Sequence, residues 1–85
     1  MNYYYHVDFT VQSEEANVMS GTVGLVHTKK CINTTIKTMV RRIYACIKKE
    51  HQVIVTKAEL ISEEEAMRRF GNKIISVRFK SRLVR

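Results

Sequence analysis

A histidine and an aspartate stand two positions apart near the start of the chain, at His6 and Asp8. Residues two apart on a strand project from the same face, so this imidazole and this carboxylate are placed to form an acid–base pair. Neighbouring polar side chains on a strand face are ordinarily solvated partners. The pair alone therefore does not predict catalysis.

The two cysteines offer thiol or metal chemistry. Cys31 follows two lysines, which favour a thiolate, but nothing in the sequence places a histidine beside it as a base. A structural zinc site needs ligands paired at short spacing, and the one close pair, His27 and Cys31, spans a strand end and a loop. We expect no metal and no catalytic thiol, and we interpret Cys46 as a small apolar residue on a buried helix face.

Two further motifs have structural explanations. The glutamates at 63–65 fall in the first turn of a short predicted helix, where negative charge is favourable against the helix dipole. Gly21 and Gly24 form a G-x-x-G, but they lack the following Lys-Ser or Lys-Thr and the helix that a phosphate-binding loop needs. No acid, base, nucleophile or metal set can be assembled, so we predict a non-enzymatic protein without a cofactor.

The distribution of charge is the strongest chemical feature of the sequence. The chain has 85 residues and a formal net charge of +7. Residues 29–57 hold eight basic side chains and one acid, and residues 73–85 hold five basic side chains and no acid, whereas the other two segments are net acidic. Such a field attracts anionic partners, namely nucleic acid, anionic lipid or an acidic protein surface.

Hydropathy patterns predict the elements that hold these groups. Alternation over residues 3–11 predicts a strand with one buried face, and a weaker pattern over 19–25 predicts its hairpin partner. Apolar residues at helical spacing then indicate an amphipathic helix of about 16 to 18 residues, with Asn33 as its N-cap.

The second half of the chain continues the alternation of strands and helices. A third strand, more buried than the first, is predicted over residues 53–61. Ser62 and Glu65 form a capping box at the start of a two-turn helix over 63–70, with Gly71 just beyond its end. A fourth strand with a basic outer face is predicted over residues 74–83.

Together these elements predict a single domain over residues 1–85. Both the sheet and the helices have one apolar side, and each needs a partner. The sequence therefore predicts a two-layer α+β fold, in which a four-stranded, largely antiparallel sheet in the chain order β-β-α-β-α-β carries one long and one short helix on one face.

Basic and aromatic residues at outward strand positions predict a basic binding module that contacts nucleic-acid phosphates. With both helices on one face, the outward positions of the first and last strands form an open surface of cations and rings, as in single-strand binders. Its members are Arg78, Lys80, Arg82, Tyr4 and His6. A second basic patch, on the solvent side of the long helix, consists of Lys37, Arg41 and Lys48, and its simpler interpretation is a solvated face. The two surfaces point in opposite directions, so one flat partner can use only one of them.

The alternative is a protein-interaction or regulatory module, either an inhibitor with an acidic protein target or a homodimer, because an incompletely covered sheet leaves edges for pairing. No stretch approaches the roughly 18 apolar residues that cross a bilayer. No basic leader precedes an apolar run. We therefore expect a cytoplasmic protein with reduced thiols and no membrane attachment.

Overall fold

The computed structural model describes residues 1–77. Its elements are β1 (Tyr3–Gln12), β2 (Asn17–His27), α1 (Asn33–Ile43), β3 (Gln52–Ile61), α2 (Glu63–Phe70), a 3-10 turn (Gly71–Lys73) and β4 (Ile75–Ser76). The order of strands and helices is the predicted one. The α+β class with a four-stranded sheet and two helices is confirmed.

Strand β1 lies inside the sheet, whose strand order is β3-β1-β2-β4. Both β2 and β3 pair with it in antiparallel register. Its alternating sequence suits this place, because alternate side chains of a strand project to one face and can be withdrawn from water together. Four of them are buried: Tyr5, Val7, Phe9 and Val11.

Helix α1 covers this buried face of the sheet. Ile36, Met39 and Val40 follow one another at three- and one-residue steps along a single stripe, and each is at most 1% exposed. Burying a side chain of this size contributes about 1.5–3 kcal/mol. The helix stripe and the β1 residues form one core with side chains of the other strands, among them Val23, Leu25 and Val53.

Helix α1 is shorter than predicted, because it ends at Ile43. The backbone of Tyr44 leaves the helical region with φ −109° and ψ 104°, and its ring lies 5.3 Å from the ring of Phe9. Ile47 still packs against the core, but from the turn that follows the helix. The apolar periodicity therefore continues past the helix because the turn faces the same sheet.

The start of α1 also differs from the prediction. Asn33 is the first helical residue, and the N-cap is Ile32, which makes no side-chain capping hydrogen bond. The prediction of Asn33 as N-cap is wrong by one position.

Helix α2 begins and ends where the sequence predicts. Ser62 is its N-cap, and the Ser62 hydroxyl accepts a hydrogen bond from the backbone N–H of Glu65 at 3.1 Å. Gly71 follows the last residue with φ 58°, a conformation that glycine adopts without strain.

Helix α2 contacts the face of the sheet opposite to α1, whereas the sequence analysis places both helices on one face. The Phe70 ring packs against His6 and over Gly24, which are paired across β1 and β2. His6 alternates with Tyr5 and Val7 along β1, so it projects from the other side.

The topology explains this arrangement. Strands β2, β3 and β4 are mutually parallel; the connection through α1 runs from β2 to β3, and the connection through α2 runs back from β3 to β4. Parallel crossovers are almost always right-handed, so two crossovers that run in opposite directions place their helices on opposite faces.

Strand β3 lies at the edge of the sheet, and the prediction that it is more buried than β1 is wrong. Of its ten residues only Val53 is buried. A register shift between Asp8 and Phe9 leaves Thr56 unpaired with β1, and the Thr56 hydroxyl donates to the backbone oxygen of Asp8 at 3.1 Å. This is a β-bulge, a feature typical of edge strands.

Strand β4 pairs with β2 in parallel register, with Leu25 opposite Ile75, so the sheet is mixed. The rest of the predicted fourth strand, residues 78–83, lies outside the described residues. No helix within residues 1–77 is long and apolar enough to span a membrane.

Candidate functional site

Basic side chains are concentrated on α1 and on the two loops beside it. Between positions 29 and 49 the sequence contains seven basic residues and no acidic one. Two of these are the α1 arginines Arg41 and Arg42, and the other five are exposed lysines. We call these five the lysine face: Lys29, Lys30, Lys37, Lys48 and Lys49.

Tyr5 ties the loop before α1 to the sheet. Its side chain is buried, and its hydroxyl oxygen accepts a hydrogen bond from the backbone N–H of Cys31 at 2.9 Å. On the other side of Lys30, the backbone N–H of Lys29 donates to Nδ1 of His27 at 3.1 Å. These two hydrogen bonds fix the backbone that presents Lys29 and Lys30.

Arg41 holds the loop after α1. Its guanidinium donates to the carbonyl oxygen of Lys48 at 3.2 Å and to the carbonyl oxygen of His51. The turn is closed by two bonds of 3.0 Å, from His51 N–H to the Lys48 carbonyl and from Lys48 N–H to Nδ1 of His51. The predicted patch of Lys37, Arg41 and Lys48 is therefore brought together, with Arg41 as the residue that positions Lys48.

The opposite side of the sheet carries a paired network of charges around α2. Arg69 donates to Glu59 at 3.2 Å and to Glu65 at 2.5 Å, and Arg68 also pairs with Glu65. The guanidinium groups of Arg68 and Arg69 lower the pKa of Glu65 to about 2. Arg69, with a smaller contribution from Lys57, lowers the pKa of Glu59.

The pair of His6 and Asp8 expected from their spacing is present, with Nε2 3.1 Å from Oδ1. The same Oδ1 accepts from the Thr22 hydroxyl at 2.7 Å, and this bond, together with His6, lowers the pKa of Asp8. A guanidinium can only donate, so Nδ1 of His6 accepts from Arg69 at 3.0 Å and the ring hydrogen lies on Nε2. The Thr22 hydroxyl binds the carboxylate rather than the imidazole, so the arrangement does not activate it as a nucleophile.

The rings predicted for the open sheet surface are not freely presented. The His6 side chain is 19% exposed, and its centroid lies 5.3 Å from that of Phe70. Tyr4 is half-buried, in register with Val26 and Ile61. The expectation of an open His6 is therefore corrected, because α2 packs on this face. The cations predicted beside them, Arg78, Lys80 and Arg82, lie outside the described residues and stay a prediction.

Acidic residues are few on the α1 side of the sheet. The chain has eight acidic residues, of which only Glu50 lies in a loop next to α1. Glu14 and Glu15 lie in the turn between β1 and β2. The remaining five belong to α2 or to the sheet face beneath it: Asp8, Glu59, Glu63, Glu64 and Glu65. Few acidic residues therefore neutralise the positive field of the lysine face on the α1 side of the sheet.

Neither cysteine has the surroundings of a reactive thiol. Burial raises the pKa of Cys31, which lowers the thiolate fraction. Cys46 is exposed in the turn after α1, with its Sγ 3.6 Å from Sδ of Met19, so its predicted place on a buried helix face is wrong. Within residues 1–77 no three side chains of His, Cys, Asp or Glu lie close enough to hold a metal ion.

The sequence analysis does not predict the roles of two residues that position the lysine face, Tyr5 and Arg41. Tyr5 fits the buried strand pattern, and the only indication of its second role is that a buried tyrosine hydroxyl needs a partner. Arg41 follows Lys37 by four residues and fits a solvated stripe; no pattern in the sequence indicates the turn that it holds.

Comparison with protein-family models, curated proteins and solved structures finds no match to this chain. Its function therefore has to be argued from the site itself.

Proposed function

We propose that this protein is a non-enzymatic module that binds nucleic acid by its phosphates, with the lysine face as the contact surface. The observation that carries the proposal is the run of seven basic residues without an acid between positions 29 and 49, which lies on the α1 side of a sheet whose other side holds most of the carboxylates. An uncompensated cationic surface attracts a polyanion.

The form of the lysine face supports this function. Lysine ammonium groups are compact charges that neutralise phosphates and release condensed counterions, which is the sequence-independent part of nucleic-acid affinity. Tyr5 and Arg41 fix the loop backbones at the two ends of α1, so the lysines there are partly preorganised. Preorganisation lowers the entropic cost of forming several contacts at once.

The test is a fluorescence anisotropy titration of a labelled duplex at increasing salt. If all five lysines contact phosphates, a slope of about 0.9 per contact predicts roughly a 500-fold loss of affinity between 50 and 200 mM salt. The double variant K37Q/K48Q should reduce this to roughly 40-fold, because three contacts remain.

The matched control is K57Q/K73Q, which removes the same charge outside the lysine face. Lys57 lies on the α2 side, opposite Asp8 in the register, and Lys73 follows α2 in the 3-10 turn. This variant should keep the wild-type salt slope. Equal losses in the two double variants contradict the proposal, as does binding whose affinity and salt slope are unchanged in K37Q/K48Q but that is lost when Arg78, Lys80 and Arg82 are all changed to Gln.

The alternative, a protein-interaction module or homodimer, would most simply use the edge strand β3. The bulge at Thr56 and the exposed Lys57 are features that hinder strand addition, so they favour the first proposal over this one. A concentration-dependent dimer in light scattering, together with no affinity for nucleic acid, would reverse this order.

A further inference from the structure

The aromatic residues bear on which form of nucleic acid the lysine face suits. Single-strand binders combine cations with aromatic side chains on which bases stack. None of the aromatic residues within 1–77 is exposed. Three of those on the α1 side are used internally: Tyr44 packs against Phe9, and the hydroxyl of buried Tyr5 accepts from the backbone N–H of Cys31.

Of the remaining rings only Tyr3 lies on the α1 side of the sheet, because it alternates with Tyr4 along β1 and shares a face with Tyr5. Phe70 packs on His6 on the face of the sheet opposite to α1, and Tyr4 lies on that same face. Tyr3 packs against the core. Within residues 1–77, an unstacked base of a bound single strand would therefore find no exposed aromatic ring among the lysines to stack on.

The solvent side of α1 offers few groups that could read base edges. The Thr38 hydroxyl donates to the backbone oxygen of Thr34 at 3.1 Å, so its hydrogen is used inside the helix. Asn33, in the first turn, is the one exposed amide side chain of α1. Specific readout pairs arginine or lysine with guanine and asparagine or glutamine with adenine, so Asn33 is the single α1 amide that could read adenine.

The lysines lie at both ends of α1, and this spacing suits the two phosphate backbones that border a duplex groove better than a single backbone. Lys29 and Lys30 precede α1, and Lys48 lies beside its last turn because Arg41 holds it there. An 11-residue helix is about 16 Å long, of the same order as the distance across a duplex groove. A duplex also presents twice the phosphate charge of a single strand per unit length.

We infer that the lysine face binds double-stranded nucleic acid by its backbone, in preference to single strands and without sequence preference. This inference rests on the proposed function, and it corrects the single-strand reading that the strand pattern alone suggests. A single strand would gain no ring contacts with its bases on this face, and each of its phosphate contacts releases less counterion than a contact with a duplex does.

The experiment compares one labelled oligonucleotide as a single strand and as a duplex, and adds a duplex of scrambled sequence, by anisotropy at fixed salt. We expect the duplex to bind at least about tenfold more tightly than the single strand, because its phosphate density is doubled and several contacts form together. The scrambled duplex should bind like the first. Tyr4→Ala, which removes the ring that the sequence analysis assigns to the single-strand surface, should leave all affinities unchanged.

The outcomes separate the inference from the function on which it rests. Equal or tighter binding of the single strand, still weakened by K37Q/K48Q, overturns the duplex preference and leaves the phosphate-binding function intact. Loss of single-strand binding in Tyr4→Ala, or a strong preference between the two duplexes, also overturns it. No binding to any of the three probes at low salt removes the proposed function itself.

Discussion

The ring of Phe70 occupies the space above Gly24 that a side chain at that position would need. A methyl group on Gly24 would lie 2.5 Å from Cδ2 and 2.6 Å from Cγ of the ring. The last residue of α2 thus packs directly on the backbone of β2, on the face opposite to α1. The sheet surface around Gly24 and His6 is therefore covered by α2 and is not open.

Gly24→Ala should destabilise the protein by about 1–3 kcal/mol, because the added methyl forces the Phe70 ring and with it α2 away from the sheet. The measurement is urea unfolding followed by circular dichroism. In a Phe70→Ala background the ring is absent, so the same change at position 24 should cost little. An unchanged penalty in that background would show that Phe70 is not the obstacle.

Tyr5→Phe should destabilise the protein by about 1–3 kcal/mol, because it leaves the backbone N–H of Cys31 without its acceptor. Tyr4→Phe is the matched control at the adjacent position, since it also removes one hydroxyl, and it should unfold at the wild-type urea concentration. Equal effects of the two substitutions would contradict the role assigned to Tyr5 in holding the loop before α1.

Arg41→Lys should loosen the turn over residues 48–51 while keeping the charge. A lysine does not reproduce the planar fork that reaches the carbonyl oxygens of Lys48 and His51 together. We expect faster hydrogen exchange at the amides of Lys48 and His51 than in the wild type. Lys37→Arg, one turn earlier on the exposed side of α1, should leave these rates unchanged; equal rates in Arg41→Lys and the wild type would show that Arg41 does not hold the turn.

The elements that could be predicted from the sequence are those whose pattern depends on local physics. The alternation of β1 and the capping box at Ser62 reflect which faces are buried and which backbone groups need partners. The end of α1 could not be predicted, because Tyr44 leaves the helix to pack on Phe9, a residue 35 positions earlier in the printed sequence.

The placement of α2 was equally beyond the local pattern, but it follows from topology. Once β3 is known to pair with β1 on the side away from β2, and β4 to pair with β2, the direction of each crossover is fixed, and the preferred handedness assigns each helix a face. Of the candidate site, the basic stripe of Lys37, Arg41 and Lys48 is visible in the sequence, whereas the role of Arg41 depends on a turn that only the folded chain forms.

Glu65→Gln should make the stability of the protein less sensitive to acid. The folded pKa of Glu65 is about 2, below its ordinary value of 4.5, so its pairs with Arg68 and Arg69 stabilise the fold fully above pH 4.5 and lose this contribution as the pH falls towards 2. Because the residues are partly exposed, the effect should shrink in high salt.

Urea midpoints measured across that acidic range, at low and high salt, provide the test. The wild type should lose stability more steeply than Glu65→Gln as the pH falls. Glu63→Gln, which removes another first-turn glutamate of α2 but keeps both arginine pairs of Glu65, should follow the wild-type profile. Parallel profiles for the wild type and Glu65→Gln would contradict the assignment.

The most direct test of the account is to map which lysines a duplex protects from acetylation. The folded protein is acetylated with and without the duplex, and its peptides are then analysed by mass spectrometry after digestion. Duplex DNA should slow the modification of Lys30, Lys37 and Lys48 at low salt, and added salt should restore it. Lys57 and Lys73, on the α2 side and after α2, should react at the same rate with and without DNA. Equal protection of both sets, or protection of Lys57 and Lys73 while Lys37 and Lys48 stay reactive, would contradict binding through the lysine face.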